Sequence, residues 1–215
     1  MNKIIFIIGA GSGLGMGAAK IFGRHGFTVV LMARDGARLS QEAEALRREG
    51  IEAHVQLADA ADFPAMTAAW EEAVSVYGEP DLVFYNVGVT TADADAGDIT
   101  AETLLARYAA DTAGAYHCVR LAATETFAKK GGAILITGGG LSLQPYAGYL
   151  PLSMDKAALR AMVFALAPVL KKKGIYLGTV QVTGAIGGSE HFMPETIAEK
   201  FWELYTARNA AELVY

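Results

Sequence analysis

The chain has 215 residues, 53% of them apolar and 19% charged, and a net charge of -5. That length suits one α/β domain with a sizeable core, and the composition excludes a disordered chain. The negative balance argues against a nucleic-acid-binding surface, since the basic run Lys171-Lys172-Lys173 reads as a solvated helix C-terminus.

Short apolar runs alternate with longer helical stretches along the chain. A first strand is predicted at 4–8, followed by a helix at 13–25. A second strand at 28–32 precedes a helix at 36–49, and a third at 53–57 precedes a helix at 63–77. A fourth strand at 82–85 leads to one long helical stretch, 101–130. A fifth strand at 133–136 precedes a helix at 151–172. A sixth at 175–182 is followed by a last helix at 194–208. The runs are rich in Val, Ile and Leu with little alternation, the pattern of strands buried on both faces. Repeated strand–helix order implies right-handed crossovers. The expected fold is α/β: a Rossmann-type, doubly wound parallel sheet in three layers. No linker, internal repeat or low-complexity segment divides the chain, so a single domain is expected.

Other features narrow the setting. In the stretch 152–170, Leu152, Ala157, Leu159, Met162, Val163, Phe164, Leu166 and Val169 fall on nearly every side of a helix. One face can pack on the sheet and the other needs a partner, which predicts a homodimer or homotetramer. Pro168 is expected to bend this helix near its end. Cys118 is the one cysteine, read as a buried thiol, and His25, His54, His117 and His191 lack metal-ligand spacing. The opening apolar run is too short for a signal peptide, and no window suits a membrane span. A cytoplasmic protein with no metal, nucleic-acid or membrane partner is expected.

The chemistry-bearing motif is Gly9-Ala10-Gly11-Ser12-Gly13-Leu14-Gly15, between the first strand and its helix. Glycines let the backbone approach a pyrophosphate, and the helix start offers free N–H groups and a positive dipole end. About twenty residues on, an NAD site places a carboxylate for the ribose hydroxyls, whereas an arginine suits a 2′-phosphate. The second strand runs into Ala33-Arg34-Asp35. Arg34 therefore predicts NADP, with NAD, through Asp35, as the less favoured cofactor.

These residues resemble the short-chain dehydrogenase/reductase family over nearly the whole chain. The family's glycine loop matches Gly9, Gly13 and Gly15, with Ile8 in place of a threonine. Its adenine-contacting aspartate matches Asp59 in Ala58-Asp59-Ala60, and its Asn-Asn-Ala-Gly motif is half kept in Tyr85-Asn86-Val87-Gly88. Thr183-Gly184 stands where the family has Pro-Gly, and Lys156-Ala157-Ala158-Leu159 matches the helix after the catalytic tyrosine. The resemblance implies cofactor contacts at Gly9, Gly11, Ser12, Gly13, Leu14, Gly15, Arg34, Asp59, Asn86, Gly88, Lys156 and Gly184.

The catalytic tetrad of the family, Asn, Ser, Tyr and Lys, is matched only by Lys156. Tyr-x-x-x-Lys aligns with Leu152-Ser153-Met154-Asp155-Lys156, the serine falls on Gly139, and the asparagine on Asp111. Hydride transfer to a carbonyl leaves an alkoxide that needs a proton, and leucine has none to give. Losing a general acid costs typically about 10²–10⁴-fold, or roughly 3–5 kcal/mol of barrier. Tyr149, one helical turn from position 152, is the leading substitute donor, ahead of Tyr146, Ser142 and His191. Packing, turn or surface roles remain open for each. Asp111 either pairs with Lys156, holding the lysine as an anchor for ribose, or faces solvent. The expected catalytic set is Lys156, Asp111 and Tyr149. Region 183–208 reads as a short substrate loop region, and the final strand, 213–215, as barely present.

Two functions stay open. One is an NADP-dependent oxidoreductase acting on a carbonyl or alcohol with a non-standard proton donor. The other is an NADP-binding protein without redox turnover, such as a sensor or regulatory partner. A structural subunit without cofactor fits less well with Gly9, Gly13, Gly15, Asp59, Asn86 and Lys156 in place.

Overall fold

The apolar runs form strands because both of their faces are covered. The computed structural model of the protein describes residues 2–89 and 98–215. Strands β1 (Lys3–Ile8), β2 (Phe27–Ala33), β3 (Ala53–Leu57), β4 (Leu82–Tyr85), β5 (Ala133–Thr137), β6 (Tyr176–Gln181) and β7 (Glu212–Val214) form one sheet. Its order is β3-β2-β1-β4-β5-β6-β7, and every pairing is parallel. The period-2 side-chain alternation sorts the core into two layers. Ile5 and Ile7 pack with α1 (Leu14–Arg24), α2 (Gly36–Arg48) and α8 (Pro194–Ala207). Phe6 and Ile8 pack with α3 (Phe63–Tyr77), α5 (Gly114–Ala122) and α7 (Leu150–Lys172). The fold is thus the three-layer doubly wound sheet the sequence implies.

Helix starts follow local chemistry. Asp35, Asp62 and Thr124 accept backbone N–H bonds at the heads of α2, α3 and α6 (Glu125–Lys129), and Thr100 does so for α4 (Ala101–Tyr108). Such caps are each worth about 1 kcal/mol. Helix α1, like α5, α7 and α8, starts without a side-chain cap: its N-cap is Gly13, so its first N–H groups are left for another acceptor.

The stretch 101–130 is not one helix. It breaks into α4, a π-helical turn at Ala109–Ala113, α5 and α6. The Tyr85 hydroxyl, buried beneath this segment, donates to the Ala110 carbonyl. At Gly114 a Cβ would lie 2.5 Å from the Ala60 carbonyl oxygen and 2.6 Å from the Tyr85 hydroxyl. The turn therefore presses against β4, and the wider winding turns Asp111 and Thr112 inward, where both are buried.

Helix α7 runs unbroken through Pro168, with Lys171 and Lys172 in its last turn. Leu159, Val163 and Leu170 face the core, while Met154, Phe164 and Val169 on the outer side are each about half exposed. Strand β7 pairs in register from Glu212, one residue earlier than expected. Cys118 is buried, and burial pushes its thiol pKa up. Among the described residues no helix is long and apolar enough to cross a membrane, and no cluster of three His, Cys, Asp or Glu could hold a metal ion.

Candidate functional site

The strand order reverses direction between β1 and β4, and a cleft of about 1790 Å³ opens there at the carboxyl ends of the strands. Open parallel sheets bind ligands at this switch point. The glycine loop forms its floor. Gly9 has φ +79°, and a Cβ there would lie 2.7 Å from the Asn86 carbonyl carbon, so only glycine fits. A Cβ on Gly15 would meet the Ala10 Cα at 3.1 Å, which brings α1 close behind the loop. Gly13, by contrast, has nothing within 4 Å of its missing Cβ, and Gly11 has only the Arg38 Nη2 at 4.0 Å. Open space, bare N–H groups and the α1 dipole are what a pyrophosphate requires.

The end of the cleft beside β2 and β3 carries the charges. Arg34 lines it and is exposed. The Asp35 carboxylate accepts the Arg38 N–H at 3.1 Å, committing it to capping α2. Asp59 lines the same end and accepts the Ala61 N–H at 2.9 Å. Arg38, unremarked in the sequence, reaches across to donate to the Ala10 carbonyl at 3.3 Å.

At the other end the groups are buried. Asn86 ties three strands together: its Nδ2 donates to the Gly9 carbonyl at 3.2 Å and its Oδ1 accepts the Thr137 hydroxyl at 2.9 Å. Lys156 is 6% exposed and its Nζ donates to the Thr137 carbonyl at 2.8 Å. Asp111 is 1% exposed, and neither carboxylate oxygen has a hydrogen-bond partner. A Cβ built on Gly88 would lie 3.6 Å from both the Asp111 Oδ2 and the Lys156 Nζ, and 4.0 Å from the Leu152 Cδ1. These three side chains therefore converge on Gly88.

The direct Asp111–Lys156 ion pair considered from sequence does not close to within 4.0 Å, and the lysine donates to the Thr137 carbonyl instead. The solvent-facing alternative fails as well. Burial raises the Asp111 carboxyl pKa, opposed by the Lys156 charge, by the Val89 amide, which points at it without closing a hydrogen bond, and by Arg107. Burial lowers the Lys156 pKa, opposed by Asp111 and Asp155. Asp155, 2% exposed, accepts the Thr112 hydroxyl at 3.1 Å. Its pKa is pushed up to about 6, first by burial and then by the Asp111 charge.

The hydroxyl-bearing candidates separate. Tyr149 lines the cleft. Tyr146 is 63% exposed, and its backbone is tied to the Ser153 hydroxyl. The Ser142 hydroxyl is held at 3.0 Å by the Gln181 Oε1, which also accepts the Gly139 N–H at 2.8 Å. Gln181 Nε2 donates to Glu212, which Arg160 grips through two nitrogens at 2.6 and 3.0 Å. Ser142 is thus part of a brace reaching from β5 through β6 to β7. His191 stacks on Tyr215 at 4.4 Å, away from the cleft lining. Gly184 lines the cleft, and a Cβ there would meet the Phe192 ring at 2.1 Å. Gly139 is extended, and its missing Cβ would lie 3.3 Å from the Lys156 Cγ.

Comparison with known proteins agrees with this fold. The family model described as short chain dehydrogenase matches residues 3–196. The chain is 31% identical over 189 residues to an uncharacterized oxidoreductase of Mycobacterium tuberculosis, covering 83% of this chain and 70% of that one. It is 29% identical over 190 residues to the peroxisomal 2,4-dienoyl-CoA reductase of Rattus norvegicus, covering 88% of this chain but only 64% of the relative's length. Among solved structures, the fold is similar to that of the actinorhodin polyketide ketoreductase with NADPH, with TM-score 0.89, 21% identity and coverage of 99% and 95% of the two chains. It is also similar to an alcohol dehydrogenase from the archaeon Thermococcus sibiricus complexed with 5-hydroxy-NADP, with TM-score 0.87, 19% identity and the same coverage.

Proposed function

Because the chain belongs to the short-chain dehydrogenase family, we propose that it is an NADP-dependent oxidoreductase acting on a carbonyl or alcohol substrate with a proton donor other than the family's tyrosine. One observation carries this reading. The two Asp111 oxygens are buried and unpartnered beside Lys156, at the end of a cleft whose other end holds Arg34. A buried polar atom without a partner costs about 1–3 kcal/mol, so such an arrangement calls for a ligand that donates hydrogen bonds. The ribose hydroxyls of a dinucleotide do so.

When bound, the nicotinamide supplies or accepts a hydride. In this reading the glycine loop and the head of α1 hold the pyrophosphate, and Arg34 holds the 2′-phosphate. Lys156 and Asp111 hold the nicotinamide ribose. Tyr149, which lines the cleft, is the assigned proton donor. Named relatives that are reductases support testing the reaction in the direction of reduction. The unpartnered outer face of α7 is the assigned contact of a homodimer or homotetramer.

A second reading has its own support. Leu152 is buried at the position the resemblance gives to tyrosine, and Gly139 offers no hydroxyl. A protein that binds NADP without turning it over would look the same there.

Calorimetric titration with NADPH and NADH, beside a hydride-transfer screen with NADPH over carbonyl compounds, separates these. NADPH should bind more tightly, and Arg34→Ala should remove that preference through a loss of about 10- to 100-fold. Turnover that Tyr149→Phe abolishes supports the first reading, and binding without turnover of any carbonyl supports the second. Equal affinity for the two cofactors refutes the NADP assignment.

A further inference from the structure

Arg38 and Glu42 lie one turn apart on α2, and both are poorly served by their present partners. The Arg38 side chain is 47% exposed on the rim of the cleft. Its Nη2 reaches a neutral carbonyl, Ala10, at 3.3 Å, and its Nε lies 3.7 Å from the Glu42 Oε1, beyond hydrogen-bond length. The Glu42 side chain is only 10% exposed, and both its oxygens lack hydrogen-bond partners. Among the described residues Arg38 is its only ion-pair partner. Asp35, at the head of the same helix, is the other charge that acts on it, and no charged group from α1, β2 or β3 does so.

An arginine gains most from a phosphate, which it can grip through two parallel N–H bonds. Arg38 stands on the same rim as Arg34, and it spans the opening between α2 and the glycine loop. We propose that Arg38 is a second guanidinium of the 2′-phosphate subsite, parked against Ala10 and Glu42 until a phosphorylated cofactor draws it away. This rests on the NADP reading above.

Glu42 gives the exchange a second consequence. Its carboxyl pKa is already raised by burial, and the Arg38 charge is what opposes that rise. Once a phosphate neutralises Arg38, the buried carboxylate loses its counter-charge and takes up a proton. NADPH binding is then coupled to proton uptake at Glu42, and NADH binding is not.

Calorimetry tests both halves on the intact protein, with NADPH and NADH as probes, in two buffers of different ionisation enthalpy between pH 5 and 7. Arg38→Ala should weaken NADPH about 10- to 100-fold and leave NADH within about two-fold. Arg38→Lys should restore part of the loss. Glu42→Gln should tighten NADPH by a few-fold and lower the protons taken up with NADPH but not with NADH. Comparing parent and Glu42→Gln cancels the titration of the phosphate itself. The double variant Arg38→Ala with Glu42→Gln leaves no unpaired buried charge, so it must show the same NADPH loss if Arg38→Ala alone is unstable. Equal weakening of both cofactors would make Arg38 a brace for the glycine loop and overturn the proposal. An Arg34-dependent NADPH preference that Arg38→Ala leaves intact overturns it while sparing the NADP reading. A parent that binds NADPH no better than NADH sinks both. Identical proton counts in parent and Glu42→Gln overturn the role of Glu42.

Discussion

Replacing Asp155 by asparagine should stabilise the protein, and only at neutral and alkaline pH. Asp155 sits in the first turns of α7, 2% exposed, with its Oδ1 accepting the Thr112 hydroxyl at 3.1 Å. Asparagine keeps that acceptor and removes the charge. The carboxyl pKa rises from the ordinary 3.8 to about 6 in the folded protein. A raised carboxyl pKa means that the folded state favours the protonated form. Its stabilising contribution is full below pH 3.8 and is lost as pH climbs through about 6. At about 1.4 kcal/mol per tenfold change, the loss is at most about 3 kcal/mol above pH 6. For a domain of this length that is roughly 6–12 °C in melting temperature. Urea and thermal unfolding of parent and Asp155→Asn from pH 4 to 8.5 should give curves that nearly meet at the acid end and separate through pH 6. Equal stability at pH 8, or a constant offset at every pH, would refute the argument that burial and the Asp111 charge strain this carboxylate.

Three further outcomes are expected. Lys156→Ala should weaken NADP binding about 10-fold or more, read by calorimetry, whatever the redox activity; unchanged affinity would mean that Lys156 does not reach the cofactor. The double change Leu152→Tyr with Gly139→Ser should bring reductase activity on an activated ketone up by about 10-fold or more, given what a general acid is worth. The new serine Cβ sits 3.3 Å from the Lys156 Cγ, so the lysine stem must shift slightly; no gain would count against a missing donor as the defect. Phe164→Asp on the exposed face of α7 should dissociate the oligomer in light scattering, and a parent that is monomeric at micromolar concentration would dispose of the idea.

The parts of the fold that local sequence controls were legible. Strands such as β1 and β4 declare themselves because both faces are buried, so nearly every residue is apolar. Asp35, Asp62 and Gly13 mark helix starts through bonds within three residues, or through their absence. The segment 101–130 was misread because Ala109-Ala110-Asp111-Thr112-Ala113 suits an ordinary helix. What widens it is pressure from β4, with Tyr85 bonding to Ala110 across 25 positions. Ser142 looked free for chemistry because its partner, Gln181, lies 39 positions away. Arg38 left a faint signal, four residues after Arg34, but its reach to Ala10 depends on how α2 leans on the glycine loop. Asp155 gave none, since its burial and its hydrogen bond to Thr112, 43 positions away, are set by tertiary packing.

The π-helical turn at Ala109–Ala113 has a consequence for how this site can change over time. Winding one extra residue into a turn offsets the angular phase of the helix before it from the helix after it, by about 100° per residue. A single-codon deletion among the alanines of that turn would bring α4 and α5 back into phase. Asp111 would swing off the wall it shares with Lys156, although no side chain at the site had been altered. Loss of that carboxylate from the cleft is thus one indel away, by a route that a comparison of aligned residue identities would pass over.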